Sequence, residues 1–106
     1  GNDDVLVKAV IDSSASVGEA MWRLPLDPIT KKQNSSKVAD LKNTGGRGGG
    51  STTAAHFISD FAGDTPWVHI DIAATSMLDS TRGWMSAGGT GVPTRSLIEL
   101  AMNMGN

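Results

Sequence analysis

The hydrophobic and polar positions of this chain fall into helical and strand-like periods separated by glycine-, proline- and serine-rich breaks. Leu6, Val10, Ser13, Val17 and Met21 lie close to one helical face, with Lys8, Asp12 and Glu19 away from it. Asn2 or Asp3 is placed to cap this helix, and Asp3 and Asp4 sit near the positive end of its dipole. Gly18 inside the pattern costs about 1 kcal/mol relative to Ala, so the end of the helix is expected to fray or pack closely on something. Trp22 to Pro28 carries two prolines and reads as an extended connector. Pro28 then suits the first position of a single helical turn through Lys32, because the N–H it lacks has no helical partner there. Gln33–Ser36 is a polar turn, and Val38–Leu41 is expected to be a short strand.

The most informative pattern runs from residue 42 to residue 73. A glycine loop, Gly45-Gly46-Arg47-Gly48-Gly49-Gly50, precedes Ser51 and Thr52, either of which suits an N-cap. Ala54, Phe57, Ile58 and Phe61 follow at i, i+3, i+4 and i+7, the spacing of one apolar helix face. Gly63 sits where a left-handed C-cap belongs, and Asp64-Thr65-Pro66 makes a turn. From Trp67 to Ala73 the period changes to two, with Val68, Ile70 and Ile72 on one face and Trp67, His69 and Asp71 on the other. Residues 74–92 carry no sustained period, and a connection of that length is usually functional or mobile. A last helix starts near Thr94, aligns Leu97, Ile98 and Ala101, and stops at Gly105.

This tally gives four helical segments and one clear strand. A strand as apolar as Val68–Ile72 needs partners on its edges, because buried backbone N–H and C=O groups must be paired. No such partner stands out here. The pattern therefore predicts an α/β fragment whose one or two strands complete a larger sheet, with strands borrowed from sequence outside the chain or from another subunit. No internal repeat and no domain boundary is visible.

Composition narrows the function. The length of 106 residues allows at most one small domain, and the hydrophobic share of 39% argues against disorder throughout. A net charge of −2 argues against a nucleic-acid partner. Without cysteine there are no disulfides or thiolate metal sites, which fits a reducing compartment. No apolar run approaches the ~20 residues of a membrane span, and the first residues lack the charge and apolar pattern of a signal peptide.

Candidate chemistry is sparse. The glycine loop before a helix invites an anion cradle, but no Gly-Lys-Ser/Thr follows it and no Gly-x-Gly-x-x-Gly register fits. His69 and Asp71 share a strand face, yet a catalytic zinc usually has three protein ligands and no third stands at a motif spacing. His56 and Asp60, at i and i+4, are more simply a solvent-exposed helix face. The tryptophans Trp22, Trp67 and Trp84 and the methionines Met77, Met85 and Met102 suit core or subunit packing better than a ligand box. There is no Gly-x-Ser-x-Gly, and nothing assembles a nucleophile, a base and an orienting acid.

The wording NTGGR…TAAHFISDF…DTPWVHIDIA resembles the C-terminal part of the leucyl (cytosol) aminopeptidase family. Gly91-Val92-Pro93-Thr94-Arg95-Ser96-Leu97-Ile98-Glu99-Leu100-Ala101 resembles that family's closing helix, and Trp22-Arg23-Leu24-Pro25-Leu26 also fits. Three segments in the right order make the likeness specific, and it covers nearly the whole chain. It implies that residues 1–106 are the C-terminal, incomplete part of a three-layer α/β/α catalytic domain, with about four helices and one or two strands completing a central sheet. The implied activity is removal of N-terminal residues from peptides by a cytoplasmic homohexamer. Two divalent cations, Zn or Mn, would activate a water, since a metal lowers the pKa of its bound water toward neutrality. The resemblance places their ligands upstream, around an N-T-D-A-E-G-R signature absent here, so this chain alone is expected to bind none and to be inactive. By position, Thr44 would touch the leaving side of the substrate. Ala73, with Ser76 or Met77, would border the pocket for the N-terminal side chain. Ala74 stands where relatives often have Gly. The expected partners are the peptide, the remainder of the catalytic domain and sister subunits, with no nucleic acid and no membrane. The competing reading is a stand-alone, non-catalytic module that binds peptides or subunits.

Overall fold

The computed structural model describes residues 1–105. Its elements run α1 (Asp4–Ser16), α2 (Pro28–Lys32), α3 (Gly50–Ala62), β1 (Met77–Leu78), β2 (Gly88–Gly89) and α4 (Thr94–Met104). The chain divides into two compact units, Gly1–Leu6 with Arg23–His69, and Val7–Trp22 with the residues from Ile70 onward. Their boundaries fall inside α1, at the start of the connector Trp22–Pro28 and inside the alternating stretch after α3, so only the second coincides with a break that the sequence marks.

In the first unit, Asp3 caps α1: its Oδ1 accepts from Leu6 N at 2.6 Å. Asn2 holds the turn after α3, donating to Thr65 O at 3.0 Å and accepting from Trp67 N at 2.9 Å. Asp27 caps α2 by accepting from Ile29 N and Thr30 N, with Pro28 at the first helical position as the sequence predicts. Asp27 also accepts the Thr30 hydroxyl. That bond, then the Thr30 N–H, holds its carboxyl below the ordinary aspartate range. Lys31 Nζ reaches Asp60 Oδ1 at 2.6 Å and ties α2 to α3.

The start of α3 differs from the sequence expectation. Gly49, at φ 72°, is the cap, and neither Ser51 nor Thr52 caps through its side chain. The Thr52 and Thr53 hydroxyls instead donate back to the carbonyls of Gly49 and Gly50. A positive φ suits glycine, so the loop's last glycines carry the turn into the helix. The buried face of α3 is Thr53, Ala55 and His56, while Ile58 and Phe61 are exposed. The expected apolar face thus points largely away from the interior of this unit. His56, read as solvent-exposed, is buried, and its Nε2 has no hydrogen-bond partner among the described residues. Gly63 ends the helix with φ 57° but ψ −134°, so the positive φ holds and the left-handed helical region does not.

Val38–Leu41 is not a strand, and Val38 is almost fully exposed. Trp67–Ala73, expected to be a strand, is neither helix nor strand and joins no sheet ladder among the described residues.

In the second unit, α1 buries Val7, Val10, Ser13 and Ser14, one step round from the predicted Leu6-Val10-Val17 stripe. The helix stops at Ser16, and Gly18 takes a positive φ of 74° while Glu19 N donates to Ser14 O at 2.9 Å. Gly18 therefore ends the helix instead of weakening its interior. Residues 74–92, read as an aperiodic connection, contain the antiparallel pair β1–β2, with Met77 opposite Gly89 and Leu78 opposite Gly88. Thr90 extends the pairing, its N–H donating to Ser76 O and its hydroxyl to Thr75 O. The last helix is where the sequence places it, yet Leu97 and Ile98 are about half exposed and Ser96 is buried. Four helices with a little sheet match the expected α/β class. The strands present are not the one the alternation marks.

Candidate functional site

Residues 33–49 form a loop held against the start of α3. Asn34, almost fully buried, donates from Nδ2 to Thr53 O at 2.8 Å and accepts Lys42 N on its backbone carbonyl at 2.7 Å. Gln33 Oε1 accepts from Gly46 N at 3.1 Å. Gly45 packs so closely that a Cβ there would lie 2.6 Å from Thr53 Cγ2, which is why the backbone needs glycine at this point. These pins give an irregular loop a fixed course.

Between the loop and α3 opens a shallow cleft of about 640 Å³. Ala39, Leu41, Phe57 and Phe61 supply apolar lining, and Asp40, Lys42, Asn43, Thr44 and Asp60 the polar rim. Phe57 and Phe61 stack at a tilt, centroids 5.2 Å apart. Thr44 thus borders a concave surface whose apolar lining lies next to hydrogen-bonding and charged side chains. Ala73 and Ser76 belong to the other unit. There, Ala73 N donates to Asp71 Oδ1 at 2.8 Å, and Ser76, half-buried, donates from its N to Ile72 O at 2.8 Å. The backbone thus turns sharply at the end of the alternating stretch, within the residues the resemblance assigns to a pocket.

No three His, Cys, Asp or Glu side chains gather into a metal site among the described residues. A hydrolytic zinc centre usually draws on three protein ligands, so the donor set of this chain does not fit one.

The sequence reading missed the most elaborate polar constellation, which lies in the second unit. Glu19, assigned to the outer side of a helix, is buried. Its Oε2 accepts the Ser96 hydroxyl at 2.7 Å and the Ser96 backbone N–H at 2.9 Å, and its Oε1 accepts from Arg95 Nε at 3.1 Å. Burial alone would raise the pKa of this carboxyl. The two Ser96 bonds and the Arg95 guanidinium outweigh burial and hold it below the ordinary glutamate range. Arg95 also lies over the Trp84 ring, 4.9 Å from its centroid. The only hint in the sequence was an acidic residue directly after a helix-ending glycine, too common a pattern to single out.

Comparison with known proteins fits this architecture. The profile of the cytosol aminopeptidase family, catalytic domain, matches residues 1–98. A probable cytosol aminopeptidase of Alkaliphilus metalliredigens is 48% identical over 103 residues, which are 97% of this chain and 21% of that protein. Another, from Solibacter usitatus, is 46% identical over 102 residues, 96% of this chain and 21% of the relative. The solved structure of the bottromycin maturation enzyme BotP in complex with Mn superposes with a TM-score of 0.93 at 36% identity, covering 99% of this chain and 24% of BotP. The chain thus spans about one fifth of the length of the curated relatives it matches. With a family match along almost its entire length and a backbone that superposes on a piece of a larger enzyme, the chain belongs to the cytosol aminopeptidase family.

Proposed function

We propose that residues 1–106 are the C-terminal part of the catalytic domain of a metal-dependent aminopeptidase that removes N-terminal residues from peptides. The observation that carries this reading is the family match across residues 1–98. In this reading the metal ligands lie upstream of this chain, as the resemblance to the family implies. Two divalent cations, Zn or Mn, would supply the activated water when bound; the similar enzyme BotP was solved in complex with Mn.

The residues of this chain bind and shape. Thr44, at the rim of the cleft beside α3, contacts the leaving side of the peptide. Ala73 and Ser76, at the turn that ends the alternating stretch, border the pocket for the N-terminal side chain. Ala73 carries no side-chain bulk beyond Cβ, so it leaves room there. Trp67–Ile72 pairs with strands of the remainder of the domain, which satisfies its backbone groups. The exposed apolar side chains of α3 and α4 supply further packing against that remainder or against sister subunits of a cytoplasmic homohexamer.

The test is to determine the mass of the native polypeptide and assay it on a leucyl peptide with added Mn²⁺ or Zn²⁺. A polypeptide several times longer than this chain, active and silenced by a chelator, supports the reading. A native product of this length, inactive with every metal, would replace it with a non-catalytic peptide- or subunit-binding module.

A further inference from the structure

Charge is unevenly distributed along the chain. Residues 31–47 hold five of its nine Lys and Arg residues and one of its eleven Asp and Glu residues, although the whole chain has a net charge of −2. Lys31 is engaged by Asp60. Lys32, Lys37, Lys42 and Arg47 are exposed, and none makes an ion pair or side-chain hydrogen bond among the described residues. Asp40 is the one carboxylate on the same loop, and the second carboxylate of the cleft, Asp60, is already neutralised by Lys31.

The cations are not on a loose tail. The buried Asn34 pins the loop to Thr53 and to the backbone of Lys42, and Gln33 holds Gly46, next to Arg47. Fixed charges of one sign attract an opposite charge without first being ordered, so the attraction is not spent on immobilising the loop. Lys42 also lines the cleft together with Thr44, Phe57 and Phe61.

We propose that the loop 32–47 is a docking rim that selects peptides carrying acidic residues on the leaving side of the scissile bond. The inference rests on the aminopeptidase reading above and adds a substrate class to it. A peptide fits better than a nucleic acid. The segment has no aromatic side chain on which bases could stack and presents neither a helix nor a paired ribbon to enter a groove. The cleft beside it offers an apolar floor for a side chain. Each exposed cation adds only a modest, salt-screened attraction, so two or three acting together amount to roughly a three- to tenfold preference.

The experiment compares kcat/KM of the full-length enzyme on Leu-Ala-Ala, Leu-Glu-Glu and Leu-Lys-Lys at low and at physiological salt. The same ratios are taken for Lys42→Glu/Arg47→Glu and for the charge control Lys8→Glu, which lies in the other unit. Expected is about a three- to tenfold preference for Leu-Glu-Glu over Leu-Lys-Lys, carried by KM and shrinking with salt. The double reversal should erase or invert it, and the control should leave it in place. Equal rates on all three peptides, or a preference that survives the reversal, would overturn the proposal while leaving the aminopeptidase reading intact. Failure to cleave Leu-Ala-Ala with any metal would remove both. Inhibition by a short oligonucleotide that acidic peptides do not match would reassign the rim to nucleic acid.

Discussion

The two long helices that follow glycine-rich stretches begin in different ways. At α3 the cap is Gly49 and at α4 it is Pro93, and neither provides a side-chain cap. The start of α3 is closed from within: Thr52 N and Thr53 N donate to Gly49 O, and the Thr52 and Thr53 hydroxyls donate to the carbonyls just before them. The start of α4 is closed from afar, by a buried carboxylate 77 residues away that takes both the Ser96 N–H and its hydroxyl. Both openings look alike in sequence, small residues ahead of an amphipathic run. Only the supply of an acceptor from elsewhere in the chain tells them apart, and it makes the second far more sensitive to a single substitution.

Glu19→Ala should produce the largest effect, about 2–4 kcal/mol in urea unfolding, because it strands two Ser96 donors and the Arg95 side chain at once. Glu19→Gln, which keeps shape and acceptor but removes the charge, should cost visibly less. Equal losses for the two would mean that packing, not the carboxylate, holds α4. At α3 the sharpest test is steric. Gly45→Ala places a Cβ 2.6 Å from Thr53 Cγ2 and 2.9 Å from its Cβ. It should cost about 1–3 kcal/mol by overpacking, read from the same unfolding curves. Asn34→Ala removes the pin between the loop and Thr53 O, for an expected loss of about 1–2 kcal/mol. Hydrogen exchange should speed up at Lys42, whose amide it anchors, and not in α4.

Acid probes the α4 closure through the same carboxylate. The pKa of Glu19 is lower in the folded protein than its ordinary value, so its contribution is fully present above the ordinary glutamate range. It is lost as pH falls through the lowered folded value. Acid unfolding should therefore be steeper for the native protein than for Glu19→Gln, and a coincident pH profile would count against the Ser96 and Arg95 bonds as its source. The smallest effect is expected at the local cap of α2. Asp27→Ala should shorten that single turn, seen as faster amide exchange at Ile29 and Thr30, without altering α3 or α4.

Local features were legible. The single turn opened by Pro28, the Asp3 cap, the glycine loop leading into a helix and the closing helix from Thr94 all follow from residues that fix their own backbone or satisfy their own neighbours. The candidate site rests on wording alone: Thr44, Ala73 and Ser76 carry no chemistry that spacing could reveal, and the cleft beside Thr44 lies where Asn34 ties the loop to Thr53 of α3. Helix faces were misjudged for one reason. The stripe Ala54, Phe57, Ile58 and Phe61 is apolar, but Thr53, Ala55 and His56 are the buried ones, and a chain matching a fifth of its relatives' length need not cover every apolar face itself. The β1–β2 pair was missed because two-residue strands with Gly88 and Gly89 have no alternation to read.

The sequence by itself determined that helices open at Pro28 and Thr94 and after the glycine loop, and the family to which these segments belong. Each depends on steric and hydrogen-bonding preferences that act within a few residues. The tertiary structure alone decided that Glu19 is an interior anchor, that Asn34 is a pin and that His56 is buried. Burial and pairing are properties of residues brought together from distant parts of the chain, and no local period records which polar group will find its partner there.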